Sequence, residues 1–214
     1  MKIKIKEPVN TLTHFATCIL AVFGTIYLIL NSIGELSKVV TLSIYGISLI
    51  SLYGASALYH GTKTTKEKEI ILKKIDHVAI FFLIAGSYTP VFSFGLPPVW
   101  RTVMLTLIWV LAIVGMVLKV FYVNVPRWVS SVVYVSLGWI ALVPLYHLIK
   151  AFPMPAIVLM ILGGVAYTFG AVIYATKWFD FVPGKFGFHE NFHIWTMIGS
   201  IVHFVFIAMY ILPR

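Results

Sequence analysis

The sequence predicts an all-α, polytopic membrane protein built as a seven-transmembrane-helix bundle. Sixty per cent of the residues are hydrophobic and only 11% are charged, and the mean hydropathy is +0.98, which exceeds the apolar content of soluble domains. Apolar stretches long enough to cross ~30 Å of hydrocarbon as helices recur along the chain. The predicted spans lie near residues 12–30, 39–60, 75–95, 99–119, 129–148, 155–176 and 191–212.

The pattern between the spans predicts one domain covering residues 1–214. The connections are short and no internal repeat is visible. We do not expect the first span to be a cleaved signal peptide, because residues 7–14 (EPVNTLTH) are polar and no small-residue cleavage site follows. Prolines precede several spans, as Pro126 does before the fifth. Small residues at i,i+4, such as Ala166 and Gly170, or Ser51 and Ala55, favour close helix packing.

Basic residues predict the orientation of the bundle in its membrane. Of the 16 Lys and Arg residues, 12 lie at the N-terminus or in the second, fourth and sixth connections. By the positive-inside rule, the N-terminus is cytoplasmic and the C-terminus lies outside. The net charge of +9 then needs no nucleic-acid partner, since basic loops against anionic lipid account for it. The 12 residues are Lys2, Lys4, Lys6, Lys63, Lys66, Lys68, Lys73, Lys74, Lys119, Arg127, Lys177 and Lys185.

Four ionisable residues are predicted to meet at the cytoplasmic face. His60 closes the second span, Asp76 opens the third, and His189 and His193 open the seventh. Because i and i+4 share a helix face, His189 and His193 are able to point at one ion. Three imidazoles with an open fourth position are the pattern of catalytic zinc sites, which would leave Asp76 as a partner for metal-bound water. Ser56 shares a helix face with His60.

Other interpretations of these residues remain open. The histidines could be interfacial groups that only form hydrogen bonds, and the Ser56 hydroxyl could bond to the carbonyl four residues back. Residues 189–193 also match HExxH, the zinc metalloprotease motif in which Glu is the base. However, no carboxylate follows Glu190, and His203 would lie ~21 Å deeper than His189 on a helix. A protease is therefore only a minor alternative.

Short motifs along the chain carry a family resemblance. They are residues 7–10 (EPVN) with 13–14 (TH), 56–60 (SALYH), 75–77 (IDH), 188–193 (FHENFH) and 199–204 (GSIVHF). With these motifs in this order and at these spacings, the chain resembles bacterial members of the hemolysin III family over nearly its full length, which implies a multi-pass protein of the bacterial plasma membrane. This family is related to the progestin and adipoQ receptors, which include the adiponectin receptors. We expect this chain to lack the long soluble N-terminal region of the eukaryotic receptors.

The resemblance implies a cytoplasm-proximal Zn²⁺ held by His60, His189 and His193, with Asp76 contacting the bound water and Ser56 beside the site. Alkaline ceramidases, in the wider superfamily, are similar in these motifs and hydrolyse lipid amides. Our hypothesis is therefore hydrolysis of a lipid amide or ester by zinc-activated water, with Asp76 as general base. The alternatives are a pore-forming or membrane-perturbing hemolysin, and a membrane-homeostasis protein whose zinc is structural.

The remaining candidates have weaker roles. His14 lies near the same face with Glu7 not far before it, so hydrogen bonding to the site is expected. His77 either supports the site or faces lipid head groups, and His147 is remote from it. The single Cys18 excludes an internal disulfide.

Overall fold

The computed structural model describes residues 5–182 and 186–214, and the regular structure there is helical apart from one bridge between Val182 and Phe186. Lys2, Lys4 and Lys185 of the basic set lie outside the described residues. The helices are α1 (Pro8–Leu30), α2 (Leu36–Gly61), α3 (Lys66–Gly95), α4 (Pro98–Phe121), α5 (Arg127–Gly138), a 3₁₀ turn (Ile140–Leu142), α6 (Leu145–Ala151), α7 (Met154–Thr176) and α8 (Phe188–Tyr210).

Six helices, α1 to α4, α7 and α8, are long and apolar enough to cross a membrane. They coincide with six of the predicted spans, and the all-α prediction is confirmed. The third helix begins earlier than expected, at Lys66, and Glu67 and Glu69 in its first turn suit a helix N-terminus. Lys68, Lys73 and Lys74 therefore lie on a helix rather than in a loop.

The predicted span 129–148 is not a continuous helix. Its two parts, α5 with the 3₁₀ turn and α6, are bent by 55°. Pro144 lies at the break, where its ring removes a backbone N–H donor. The Tyr88 hydroxyl donates to the Gly138 carbonyl and accepts from the Ala141 N–H (3.3 Å). The Tyr88 side chain of α3 thus forms hydrogen bonds with backbone groups that have no helical partner at the break. Buried backbone groups need such partners.

The bent pair still leads from one end of the bundle to the other. Arg127, at the start of α5, lies over the rings of Tyr174 near the end of α7 and Phe188 at the start of α8. At the other end, Arg214 donates to the carbonyls of Phe94 (3.0 Å) and Ala151. The two ends of the α5–α6 pair therefore lie at opposite ends of the bundle.

Large apolar side chains cover the outside of the bundle. Leu20 and Phe23 on α1 and Val110 and Ile113 on α4 are exposed, whereas large aromatic residues such as Tyr53 are buried in the core. Continuous apolar surface of this kind is stable in lipid and aggregates in water. The protein is a multi-pass membrane protein. That the whole chain is one domain, and which face is cytoplasmic, stay predictions.

Candidate metal centre

The bundle brings the three predicted ligands together. His60 comes from the last turn of α2, and His189 and His193 come from the first two turns of α8. One ring nitrogen from each lies within 4.8 Å of the others, so the three could hold a metal ion. The ring centroids are 4.8 to 5.0 Å apart. His60 and His193 are almost fully buried.

Glu7 fixes the orientation of His60. Its carboxylate Oε2 accepts a hydrogen bond of 2.7 Å from His60 Nδ1, which leaves Nε2 of a neutral ring free to act as a ligand. Burial opposes ionisation of Glu7, but the hydrogen bonds from His60 and Asn10 outweigh it and lower the pKa of Glu7 to about 2. A carboxylate of this kind orients a histidine ligand and raises its basicity.

Asn10 joins this carboxylate to the start of α8. Its Nδ2 donates to Glu7 Oε2 (2.9 Å) and to Glu190 Oε1 (3.0 Å). Glu190 Oε2 accepts a further hydrogen bond from the Gly187 N–H (2.9 Å). Glu190 therefore caps the N-terminus of α8. Among the described residues, it is not one of those that line the adjacent cavity. This geometry does not suit the general base of an HExxH protease.

Asp76 and Ser56 lie where the sequence predicts them, beside the histidines. Both are buried, and both line the cavity that His60, His189 and His193 also line. The Ser56 hydroxyl lies next to the Asp76 carboxyl, and His60 is close enough to Asp76 to interact with its charge. The expected alternative for Ser56, a hydrogen bond to the carbonyl four residues back, is not among the hydrogen bonds of the described residues.

His14 contacts the site in a way that the sequence did not predict. Its ring stacks on His193, with centroids 3.9 Å apart and planes at 18°. Glu7, its expected partner, bonds to His60 instead. Within residues 5–182 and 186–214, neither ring nitrogen of His14 has a hydrogen-bond partner. His14 therefore supports the site by packing.

Two of the other histidines, His203 and His147, lie apart from the three-histidine cluster, as expected. His203 Nε2 bonds to the Met160 carbonyl (3.1 Å) deep in the bundle. His147 packs against Trp100, whose helix begins at the opposite end of the molecule. His77 lines the cavity, and its Nδ1 is buried without a partner in the described part of the chain.

A cavity of about 220 Å³ extends from the histidines into the bundle. Its lining is mostly apolar and includes Leu83 and Val91 of α3, Met160 of α7 and Phe206 of α8. Apart from His203, the acidic and basic side chains of the lining lie at the end where His60 and Asp76 are, whereas neutral polar groups such as Ser87 and Thr168 line it farther in. A cavity that is apolar except for a few converging polar groups is typical of a small-molecule site.

The residues present fit a bound metal. The donor set is three imidazoles, His60 is held by a carboxylate, and Nδ1 of His193 is buried without a partner among the described residues. A buried unpaired nitrogen is unfavourable, and coordination or a hydrogen bond would relieve this.

The comparisons with known proteins agree with the motifs. The model of the family described as Haemolysin-III related matches residues 3–204. Hemolysin-3 of Bacillus cereus is 31% identical over 212 residues, which cover 98% of this chain and 94% of that protein. The Hemolysin-3 homolog of Bacillus subtilis (strain 168) is 32% identical over 209 residues, covering 96% and 95%.

More distant relatives match with lower identity. The adiponectin receptor protein of Drosophila melanogaster is 26% identical over 220 residues, which cover 92% of this chain and 49% of that protein. The progestin and adipoQ receptor-like protein 1 of Caenorhabditis elegans is 26% identical over 218 residues, covering 92% and 50%. Given the match over residues 3–204 and the near full-length Bacillus relatives, the chain belongs to the Haemolysin-III related family.

Proposed function

We propose that the protein is a zinc-dependent hydrolase that acts on a lipid amide or ester. The observation that best supports this is the position of the three histidines. They lie at the polar end of an apolar cavity that also contains Asp76 and Ser56. A structural metal site is usually closed by four protein ligands, whereas a catalytic site keeps one position for water or substrate. The cluster has three histidines and a cavity on its open side.

The donor set favours zinc. Imidazole suits zinc, copper, iron and nickel, while hard cations such as Mg²⁺ and Ca²⁺ prefer oxygen ligands. When bound, zinc would lower the pKa of a water toward about 7 and polarise the carbonyl under attack. Glu7 would keep His60 in the tautomer that presents Nε2 to the ion.

Asp76 would act as the general base. Its carboxyl lines the cavity near His60 and next to the Ser56 hydroxyl. A carboxylate at this position would accept the proton of the attacking water and return it to the leaving group. Ser56 would hold Asp76 in position, since one hydroxyl donor restricts the orientation of the carboxylate.

The cavity favours a lipid as substrate. Its walls away from the three histidines are mostly apolar side chains, which would take a hydrocarbon chain out of water or lipid. The scissile carbonyl would then lie at the polar end, beside the three histidines. Membrane lipids are the molecules that reach such a site from within a bilayer.

Metal content and turnover of the purified protein test this function together. We expect about one zinc per chain in the wild type, in Asp76→Asn and in Glu190→Gln, and little in His60→Ala or His193→Ala. We expect hydrolysis of fluorogenic lipid amides or esters by the wild type and by Glu190→Gln, and none by Asp76→Asn. Wild-type protein that stays metal-free after zinc is supplied would contradict the proposal.

The names of the Bacillus relatives favour a second candidate, a membrane-perturbing hemolysin. Dye release from lipid vesicles distinguishes it. Release that is unchanged in His60→Ala and Asp76→Asn, from protein without hydrolytic activity, would support the hemolysin.

A structural zinc is the other alternative. If zinc only joins α2 to α8, Asp76→Asn would change neither metal content nor any activity, and metal removal would lower the unfolding temperature.

A further inference from the structure

A second group of polar side chains lies at the same end of the bundle and has no role in the proposed chemistry. It is centred on Lys119, in the last turn of α4, which is only 6% exposed. The ammonium group donates to the Ser130 hydroxyl on α5 (2.6 Å). Within the described residues, no carboxylate lies within ion-pair distance of it. A buried charge without a counter-ion is unfavourable.

The other buried lysine of the described chain shows the contrast. Lys38 is 5% exposed, and it forms an ion pair of 2.7 Å with Glu35 at the opposite end of the bundle. The two lysines are buried to the same extent, but only Lys38 has an anionic partner. Lys119 is therefore the one whose surroundings favour an added anion.

The neighbours of Lys119 are hydrogen-bond donors. Lys73 and His77 are close enough to Lys119 to interact with its charge, and its ammonium lies 5.8 Å from the Tyr134 ring. The Tyr134 hydroxyl is buried and has no hydrogen-bond partner in the part of the chain that the structure describes. Asp76 is the nearby acid, close enough to Tyr134 for its charge to act on the hydroxyl.

These donors belong to the wall of the cavity that also contains the histidines. Lys73, His77, Ser130 and Tyr134 all line it, and Lys119, which is not itself among the lining residues, donates to the Ser130 hydroxyl. An anionic group in this part of the cavity would accept a hydrogen bond from the unpaired Tyr134 hydroxyl. It would also be attracted, in a setting of low dielectric, by the charges of Lys119 and of Lys73, whose ammonium donates to Asn124 Oδ1 (2.8 Å). Charge-assisted hydrogen bonds of this kind are about twice as strong as neutral ones.

We propose that the pocket formed by Lys73, His77, Lys119, Ser130 and Tyr134 binds an anionic oxygen group, a phosphate or carboxylate, at the head of the lipid whose chain fills the cavity. Anion binding follows from the pocket itself. The further conclusion that the hydrolysed lipid is anionic rests on the proposed function.

Binding of matched lipids to the full-length protein in neutral detergent tests the pocket. The ligands are lysophosphatidate, a monoacylglycerol and a fatty acid of the same chain length, and inorganic phosphate. The readout is the fluorescence of Trp139, which lines the cavity, and it needs neither metal nor turnover. We expect the wild type to bind lysophosphatidate about tenfold or more tightly than the monoacylglycerol.

Three variants make the test specific. Lys119→Gln should remove most of the preference for the anionic lipid. Tyr134→Phe should weaken lysophosphatidate binding by about fivefold, and it should fold normally because the lost hydroxyl has no partner among the residues that the structure describes. Lys38→Gln, which removes the other buried lysine, should bind as the wild type does.

The outcomes separate the sources of the anion. Competition by inorganic phosphate would show that the free anion is sufficient, whereas no competition would show that the acyl chain is required. Equal affinity for lysophosphatidate and monoacylglycerol would overturn the proposal, as would an unchanged preference in both Lys119→Gln and Tyr134→Phe. A protein that selects anionic lipid without hydrolysing any lipid would keep the pocket and contradict only the proposed function.

Discussion

Glu7 lies one residue before α1, yet its carboxylate determines which nitrogen of His60 faces the other two histidines. We expect Glu7→Ala to weaken metal binding by about 10- to 100-fold, as is typical when the partner of a histidine ligand is removed. Competition with a chelator of known affinity measures the change.

Glu69→Ala is the matched control for Glu7→Ala. Glu69 is a carboxylate on the same face of the bundle, but its partner is the Lys6 ammonium (2.6 Å) rather than a histidine. It should therefore leave the metal affinity unchanged. Equal affinities in Glu7→Ala and the wild type would show that His60 does not depend on this hydrogen bond.

The sequence predicted which histidines meet, because the depth of each residue follows from the span boundaries. His60 and His189 lie at helix ends on one face, and position along a helix axis follows directly from the order of the residues in the chain. The partner of His60 and the stacking of His14 on His193 depend on how each helix is rotated about its axis. Glu7 was visible only as part of the EPVN motif, and no sequence signal assigned it to His60 rather than to His14.

At the scale of the helices, hydropathy predicted that the spanning helices exist and where they approximately begin and end. It did not predict the break in the fifth span. The window over residues 129–148 is mostly apolar and contains no Asp, Glu, Lys or Arg, and Pro144 was a local signal of a break. Whether a membrane helix tolerates such a break depends on which neighbour pairs the released backbone groups. Here the neighbour is Tyr88 of α3, which is far away in the sequence.

We expect Tyr88→Phe to destabilise the protein by about 1–3 kcal/mol, because it leaves a buried carbonyl and a buried N–H without their partner. Chemical unfolding in detergent micelles, followed by circular dichroism, measures the loss. Tyr134→Phe is the control, since the Tyr134 hydroxyl has no partner among the described residues, and it should change stability by less. Losses of equal size in the two variants would mean that Tyr88 contributes only through its ring.

At the scale of the whole molecule, the contacts bear on the number of membrane spans. His60 at the end of α2 and His189 at the start of α8 lie together, so α7 must end on that face and begin on the other. The chain therefore passes from one end of the bundle to the other between Arg127 and Met154, and the bent α5–α6 pair is the candidate for the seventh predicted span. This conclusion needed the structure, because the sequence alone does not show which helix ends are neighbours.

The orientation of the bundle is the remaining prediction at this scale. The three-histidine cluster and most of the basic residues that the structure describes share one face, and the positive-inside rule predicts that this face is cytoplasmic. In a Cys18→Ser background, which has no other cysteine, Lys68→Cys and Lys150→Cys place single thiols at exposed positions on the two faces. A membrane-impermeant maleimide should label Lys150→Cys in intact cells and Lys68→Cys only after permeabilisation. The reverse pattern would place the histidines at the outer surface, where lipids of the outer leaflet would be their substrates.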